Sequence, residues 1–283
     1  MTYQKLLKIA SEQAIKKRLE SSAVKLLIEE LSGFTLSDFL FNLNVEIKED
    51  KKEIIYKALY EYLEHKVPAQ YILGYAYFYG YKFSINRDVL IPRKETEELV
   101  EATIRYINQV FTNKDLKLVD LGTGSGCIGI TLKKEIPSLD VYAVDISHEA
   151  LEVAKNNAKI LDAPVTFLEG NMLKPIIEQN LTFDVIVSNP PYVKYSEEVD
   201  DIVLKNEPHL ALFAPDEKGV SFYEQILADA RTILNKPGLI CFEHGFKQKG
   251  EMLELCLKYF PDADVFCIRD LSGNDRLTIL INR

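Results

Sequence analysis

Apolar positions recur at helical spacing over the first sixty residues: Leu6, Leu7, Ile9, Ala10, Ala14 and Ile15, then Val24, Leu26, Leu27, Ile28 and Leu31 ahead of Gly33. Phe39, Leu40 and Phe41 mark a short third segment, and Ile54, Ile55, Ala58, Leu59, Tyr62 and Leu63 stripe a fourth. This pattern predicts a small helical bundle over residues 1–67, with no chemistry-bearing motif in it. Its expected role is recognition of a macromolecular substrate. Over residues 68–92 the pattern changes. Tyr71 to Ile85 is aromatic-rich with Gly74 and Gly80 at two turn points, which predicts a β-hairpin connector. Val89-Leu90-Ile91 predicts a strand that turns into a helix reaching about Phe111.

Residues 93–283 read as a second domain in which short apolar runs alternate with helical stripes. Leu116 to Leu121, Val141 to Val144, Val165 to Glu169 and Phe183 to Ser188 are β-branched or apolar runs of strand length, as in a parallel sheet buried on both faces. A helix over 219–234, a strand over 238–243, a helix over 248–259 and closing strands at 265–268 and 277–281 complete the reading. The fold class is α/β, a doubly wound sheet of Rossmann type.

Two places in that pattern carry chemistry. The first strand runs at once into Gly122-Thr123-Gly124-Ser125-Gly126 and a helix beginning near Cys127. Three glycines in five residues let a ligand approach the backbone and the helix N-terminal N–H groups. The second strand ends in Asp145, about twenty residues on, where an acid binds ribose hydroxyls, and Ser147 is placed to cap the next helix. Spacing G-x-G-x-G, with Cys127 where a dinucleotide fingerprint differs, points to S-adenosylmethionine. Gly170-Asn171-Met172-Leu173 follows the third strand, where the adenine should lie.

The fourth strand stops at Asn189-Pro190-Pro191-Tyr192. Two prolines stiffen the backbone and remove N–H donors just outside the carboxyl end of a sheet strand. The Asn189 side-chain carbonyl and the Pro190 backbone carbonyl can each accept one hydrogen of a planar NH2 group, while the Tyr192 ring covers its face. Such acceptors strengthen as positive charge develops on nitrogen, so they stabilise the transition state of N-methylation. Asn189, Pro190 and Tyr192 are the expected catalytic set, and Asn189 to Tyr192 the expected substrate clamp.

Composition narrows the classes. A net charge of −9 with pI ≈ 5.2 gives no support to a large nucleic-acid footprint and suits a basic protein partner. Cys127, Cys241, Cys256 and Cys267 form no C-x-x-C pair, and His65, His148, His209 and His244 lack metal spacing, so reduced thiols and no metal are expected. No apolar run has the length of a membrane span, and the N-terminus shows no signal-peptide apolar core, so a cytoplasmic protein is expected. Arg93 and Thr96 stand where they either cap a helix or face the ligand; His209 and His244 read as structural.

The sequence resembles the peptide chain release factor glutamine N5-methyltransferases, the PrmC or HemK family. The resemblance runs through Pro68 to Gly74, Ile91 to Glu97, Asp120 to Gly126, Asn189 to Tyr192, Glu207 to Leu212 and Arg269 to Arg276. It implies a helical N-terminal domain (1–67), a hairpin linker (68–92) and a seven-stranded, mostly parallel SAM-dependent methyltransferase domain (93–283). It also implies, as substrate, the glutamine of the Gly-Gly-Gln motif of bacterial release factors. By position, Gly122, Thr123, Gly124, Ser125, Gly126, Asp145, Met172 and Asn189 fall to the cofactor, with no nucleic acid or membrane engaged and a monomer expected. Gly170-Asn171 stands where relatives often carry an acid, and Met172 where some carry an aromatic. Three alternatives share these motifs: a glutamine methyltransferase acting on a ribosomal protein, an N-methyltransferase acting on an exocyclic amine of DNA or RNA, and a non-catalytic SAM-binding protein.

Overall fold

Thr2 opens the first helix by accepting the Lys5 amide, and α1 (Tyr3–Lys16) then buries Leu6, Ala10 and Ala14, one i, i+4 row. α2 (Ser21–Ser32) ends on Gly33 at φ +78°, a left-handed cap that a side chain would resist. Thr35 caps the short α3 (Leu36–Phe41), which inserts Phe39 into the core. α4 (Glu49–His65) buries Ile55, Ala58, Leu59, Tyr62 and Leu63, the stripe seen in the sequence. Four helices therefore form where four were expected. The first part of the predicted hairpin is instead helical: α5 (Ala69–Leu73) begins after Pro68, whose carbonyl accepts the Tyr71 and Ile72 amides. Proline suits the start of a helical turn because its missing N–H is not needed there.

The computed structural model describes residues 1–283, and its chain divides into two units. One comprises Met1–Tyr75 with Asp200–Asn206, the other Ala76–Val199 with Glu207–Arg283. In the second unit the hairpin proper is β1 (Tyr75–Phe78) and β2 (Tyr81–Ser84). Its turn residues, Tyr79 and Gly80, both have positive φ, +51° and +80°, the requirement of a two-residue turn that matches strand twist. Asn157 ties Ser84 on both sides, accepting its N–H and donating to its C=O at 2.8 and 2.9 Å. Val89 to Ile91 form no strand, against expectation. Asn86 Oδ1 accepts the Asp88 amide at 2.9 Å, a local turn that competes with strand pairing. α6 (Lys94–Val110) follows.

The sheet is built from β3 (Lys117–Leu121), α7 (Cys127–Glu135), β4 (Asp140–Asp145), α8 (His148–Ile160), β5 (Thr166–Glu169), α9 (Lys174–Glu178) and β6 (Phe183–Ser188). α10 (Asp201–Asn206), which belongs to the first unit, precedes α11 (Ser221–Ile233), β7 (Leu234–Glu243), α12 (Lys249–Tyr259), β8 (Asp264–Arg269) and β9 (Asp275–Asn282). Strand order is β5-β4-β3-β6-β7-β9-β8, seven strands. β9 alone runs antiparallel, to β7 and β8. Leu118, Val185, Val187, Leu239 and Cys241 pack on one face; Val119, Leu121, Ile186, Ile240 and Phe242 pack on the other. That alternation explains the continuous apolar runs, since both faces of these central strands are covered by helices. α9, α10 and a 3-10 turn at His209–Ala211 escaped the sequence reading because each is only three to six residues long, too short for a period to show.

The chain order reverses between β3 and β6. β3 leads outward to β4 and β5 on one side, and β6 lies on its other side. A crevice opens at such a reversal, outside the carboxyl ends of the strands.

Candidate active site

A cavity of about 450 Å3 lies at that reversal. Gly122 and Gly124 line it from the loop after β3, Asp145 and Ile146 from the end of β4, Met172 after β5, and Asn189 after β6. Gly122 and Gly124 have φ +69° and +54°, and a Cβ placed on either meets no atom within 4 Å. Their backbone edge is thus bare toward open space, and the left-handed conformation keeps it so. The Val144 carbonyl accepts the Gly122 and Thr123 amides at 2.9 and 3.0 Å, which continues the β3–β4 pairing into the loop.

Asp145 holds the two walls together. Its Oδ2 accepts the Gly124 amide at 2.8 Å and its Oδ1 the Ser147 amide at 2.9 Å. Burial pushes its carboxyl pKa up, and the hydrogen bonds from Ser147, Gly124 and Ile146 oppose that. Each carboxylate oxygen keeps a further lone pair, so the group can accept two hydroxyls besides. Ser147 Oγ accepts the Ala150 amide at 3.1 Å and so caps α8, as its position in the sequence implied.

The remaining loop residues shape rather than line the cavity. Thr123 Oγ1 donates to the fully buried Asp120 at 2.6 Å, and Gly129 N–H donates to the same oxygen at 3.0 Å. Burial lifts Asp120 to about 6 against those two bonds. Ser125 is 3% exposed, and its carbonyl accepts from Asn157 at 2.9 Å. Gly126 caps α7 at φ +82°, where a Cβ would stand 2.6 Å from Ile130 Cδ1. Met172 adopts φ +50° and is buried, a conformation its side chain gives no sequence warning of.

The tetrapeptide after β6 divides its roles. Asn189 and Pro191 line the cavity, while Pro190 is buried. Asn189 Nδ2 donates to Thr96 Oγ1 at 3.2 Å. Tyr192 is half-buried against the core, with its hydroxyl 3.5 Å from Glu243 Oε1. Burial raises the Tyr192 hydroxyl pKa, reinforced by Glu243 and opposed by Arg276 and Arg93. Gln248 ties this loop from behind: its Nε2 donates to the carbonyls of Tyr192, Lys218 and Gly219 at 3.3, 3.1 and 3.0 Å.

Several contributors were not singled out as site residues from the sequence. Arg87 to Leu90 line the cavity; their signal was the Asn-Arg-Asp turn. Glu207 accepts from the Ile91 amide at 3.1 Å and pairs with Arg93 at 2.5 Å, so Arg93 neither caps a helix through its side chain nor lines the cavity. Glu243, 2% exposed, and Arg276, whose Nε donates to Asp270 at 3.1 Å, stand behind Tyr192.

The cavity fits S-adenosylmethionine. Bare glycine edges accommodate its close approach, Asp145 offers the acceptor a vicinal diol needs, and Ile146 and Met172 supply apolar walls of the kind a purine ring requires. Fold and site together define a Rossmann-type SAM-dependent methyltransferase. The family described as "Methyltransferase small domain" matches residues 97–242. A methyltransferase structure from Pyrococcus furiosus shares the fold at TM-score 0.51 and 18% identity, covering 83% of this chain and 99% of that one. A 16S rRNA N2 methyltransferase from T. Thermophilus in complex with AdoMet and guanosine does so at TM-score 0.52 and 15% identity, over 74% of this chain and 50% of that one.

Closer relatives refine the class. The release factor glutamine methyltransferase of Bacillus subtilis is 40% identical over 95% of this chain and 94% of its own. Those of Bacillus cereus and Staphylococcus aureus are 39% and 36% identical, over 84% and 98% of both chains. The chain belongs to the release factor glutamine methyltransferase family.

Proposed function

We propose that this chain transfers a methyl group to the side-chain amide nitrogen, N5, of the glutamine in the Gly-Gly-Gln motif of bacterial peptide chain release factors. The observation that carries the reading is the orientation of Asn189. With its NH2 turned to Thr96, the amide oxygen is the group left for a substrate NH2, beside a cavity shaped for the cofactor. Bound there, S-adenosylmethionine would supply an electrophilic methyl carried on a sulfonium sulfur, which would keep the C–S bonding pair. The glutamine nitrogen forms the new N–C bond with its lone pair and then releases one of its two hydrogens as a proton. Asn189 Oδ1 and the Pro190 carbonyl accept hydrogen bonds from that NH2 as positive charge develops, the proton passes to solvent once the bond has formed, and the Tyr192 ring borders the amide.

In this reading Gly122, Gly124, Asp145 and Met172 hold the cofactor, while Thr123, Ser125 and Gly126 keep the loop in shape for it. The helical part, residues 1–67, recognises the release factor. Phe41 and Leu40 on α3 are 89% and 53% exposed, apolar surface that supports a protein partner. The hairpin links it to the catalytic part, residues 93–283, and the enzyme works as a cytoplasmic monomer without engaging nucleic acid. No helix is long and apolar enough to cross a membrane.

Mass spectrometry of the Gly-Gly-Gln peptide, after an unmodified release factor is incubated with the protein and S-adenosylmethionine, tests the proposal. One added methyl on the glutamine side chain is the expected result. No gain, with cofactor binding confirmed, overturns the substrate and directs the search to ribosomal protein and nucleic acid.

A further inference from the structure

Asparagine amides have two ends, and only one of them serves the chemistry above. If Asn189 presented its NH2 to the cavity, it would meet the substrate NH2 donor to donor. Something must hold the amide in one orientation. Its Nδ2 donates to the hydroxyl of Thr96, which is 3% exposed in the first turn of α6. A threonine hydroxyl has a single hydrogen, so Thr96 turns that hydrogen toward another acceptor. Glu243, at the end of β7, is the neighbouring acceptor: Thr96 and Asn189 both act on its carboxyl as hydrogen-bond donors.

Topology makes the contact. β6 and β7 are parallel neighbours with Ser188 paired to Phe242, so the residues that follow, Asn189 and Glu243, emerge side by side. Glu243 is 2% exposed, and its Oε2 is buried without a hydrogen-bond partner. A buried carboxylate oxygen without a bond is costly, and the neighbouring hydroxyl is the donor free to rotate onto it. We propose that Glu243 is a positioning residue: acting through Thr96, it fixes the Asn189 amide with its oxygen toward the cavity. An ionised carboxylate only accepts, so it sets the direction of the whole relay. Asn189 N–H gives to Thr96, and Thr96 O–H gives to Glu243. Burial pushes the Glu243 pKa up to about 7; Thr96, Arg276 and Asn189 pull it down and Glu95 adds to it.

A glutamine at 243 breaks the direction while keeping the volume. Its NH2 can donate to Thr96, Thr96 can then donate to Asn189, and the Asn189 amide is free to turn over. The inference rests on the reading of Asn189 as the acceptor for the substrate amide. The test compares Glu243→Gln, Thr96→Val, Thr96→Ser and Asn189→Ala with the wild-type chain, by kcat and KM on an unmodified release factor and by calorimetric S-adenosylmethionine affinity. Glu243→Gln and Thr96→Val should lower kcat on the order of 10-fold to 100-fold, with KM and cofactor affinity within about twofold. Thr96→Ser, which restores the hydroxyl, should regain most of the rate.

Equal rates in Thr96→Val and Thr96→Ser, or an unchanged kcat in Glu243→Gln, overturn the relay while leaving the functional reading intact. Absence of release factor methylation by the wild-type chain, or an unaffected Asn189→Ala, overturns both. Should Glu243→Gln fail to fold, the two Thr96 variants decide the matter, because valine and serine each fill the site without a new charge.

Discussion

In the proposed mechanism Asn189 and Asp145 act at different moments, and their substitutions should separate accordingly. Asn189→Ala removes an acceptor whose bond strengthens as charge develops on nitrogen, so kcat should fall on the order of 10² or more; steady-state kinetics on a release factor measure it. Asp145→Ala removes a charged acceptor from the cofactor cavity and should weaken S-adenosylmethionine binding by roughly 1.5–3 kcal/mol, readable by calorimetry. Glu243 adds a pH dependence. Glu95 on α6, Arg276 on β9, Tyr192 on the loop, Tyr223 on α11 and Cys127 on α7 all act on it or feel it. Its ordinary value of 4.5 is raised to about 7 in the fold, mainly by burial. Between those values the folded chain keeps a proton that the unfolded chain has lost, so stability falls as pH rises through that window. Glu243→Gln escapes this cost, and its stability relative to wild type should be greater at pH 8 than at pH 5 in denaturant titrations. The wild-type kcat should rise through pH 7 as the carboxylate becomes an acceptor, and this limb should vanish in the variant.

At the scale of elements, the rigidity of the loop after β6 depends on more than its prolines. Gln248 precedes α12, and one NH2 group holds three carbonyls from two loops. Its Oε1 also accepts the Gly245 amide at 2.8 Å. Gln248→Ala strands these buried groups and should cost about 2 kcal/mol in chemical denaturation, with a lower kcat from the loosened Tyr192. Gly219 crosses the same place at φ +73°, where a Cβ would stand 2.4 Å from the Tyr192 carbonyl. Its replacement should disturb the same loop. Proline stiffness was legible from the letters; the tether was not, because it joins Gln248 to a residue 56 positions away.

For the whole molecule, the unexpected feature is that residues 200–206 leave the second unit and join the first. Asn206 Nδ2 donates to the Lys66 carbonyl at 3.1 Å, and Ile202 packs against the helical core. Ile202→Asp should release this segment. Trypsin should then cut faster at Lys205, while S-adenosylmethionine affinity, whose candidate cavity lies in the other unit, should stay within about twofold of wild type.

The sequence by itself determined whatever is local. Continuous apolar runs and helical stripes specified the seven strands and the four N-terminal helices, because burial of both faces or of one leaves a regular mark on consecutive residues. The glycine loop, the strand-end acid Asp145 and the stiff turn at Asn189 to Tyr192 were legible as local features, because backbone freedom and proline stiffness are properties of adjacent letters; which of these residues line the cavity, Gly122, Gly124, Asp145, Asn189 and Pro191, was not. Tertiary structure decided the rest. The Thr96 partner of Asn189 lies 93 positions away, and the Arg93 partner Glu207 lies 114 positions away. Nothing in a glutamate's own neighbourhood tells Glu243, buried beside Tyr192, from Glu169, exposed at the end of β5. Burial, and with it the carboxyl's raised pKa and its role as an acceptor, exists only once β6, β7 and α6 have packed.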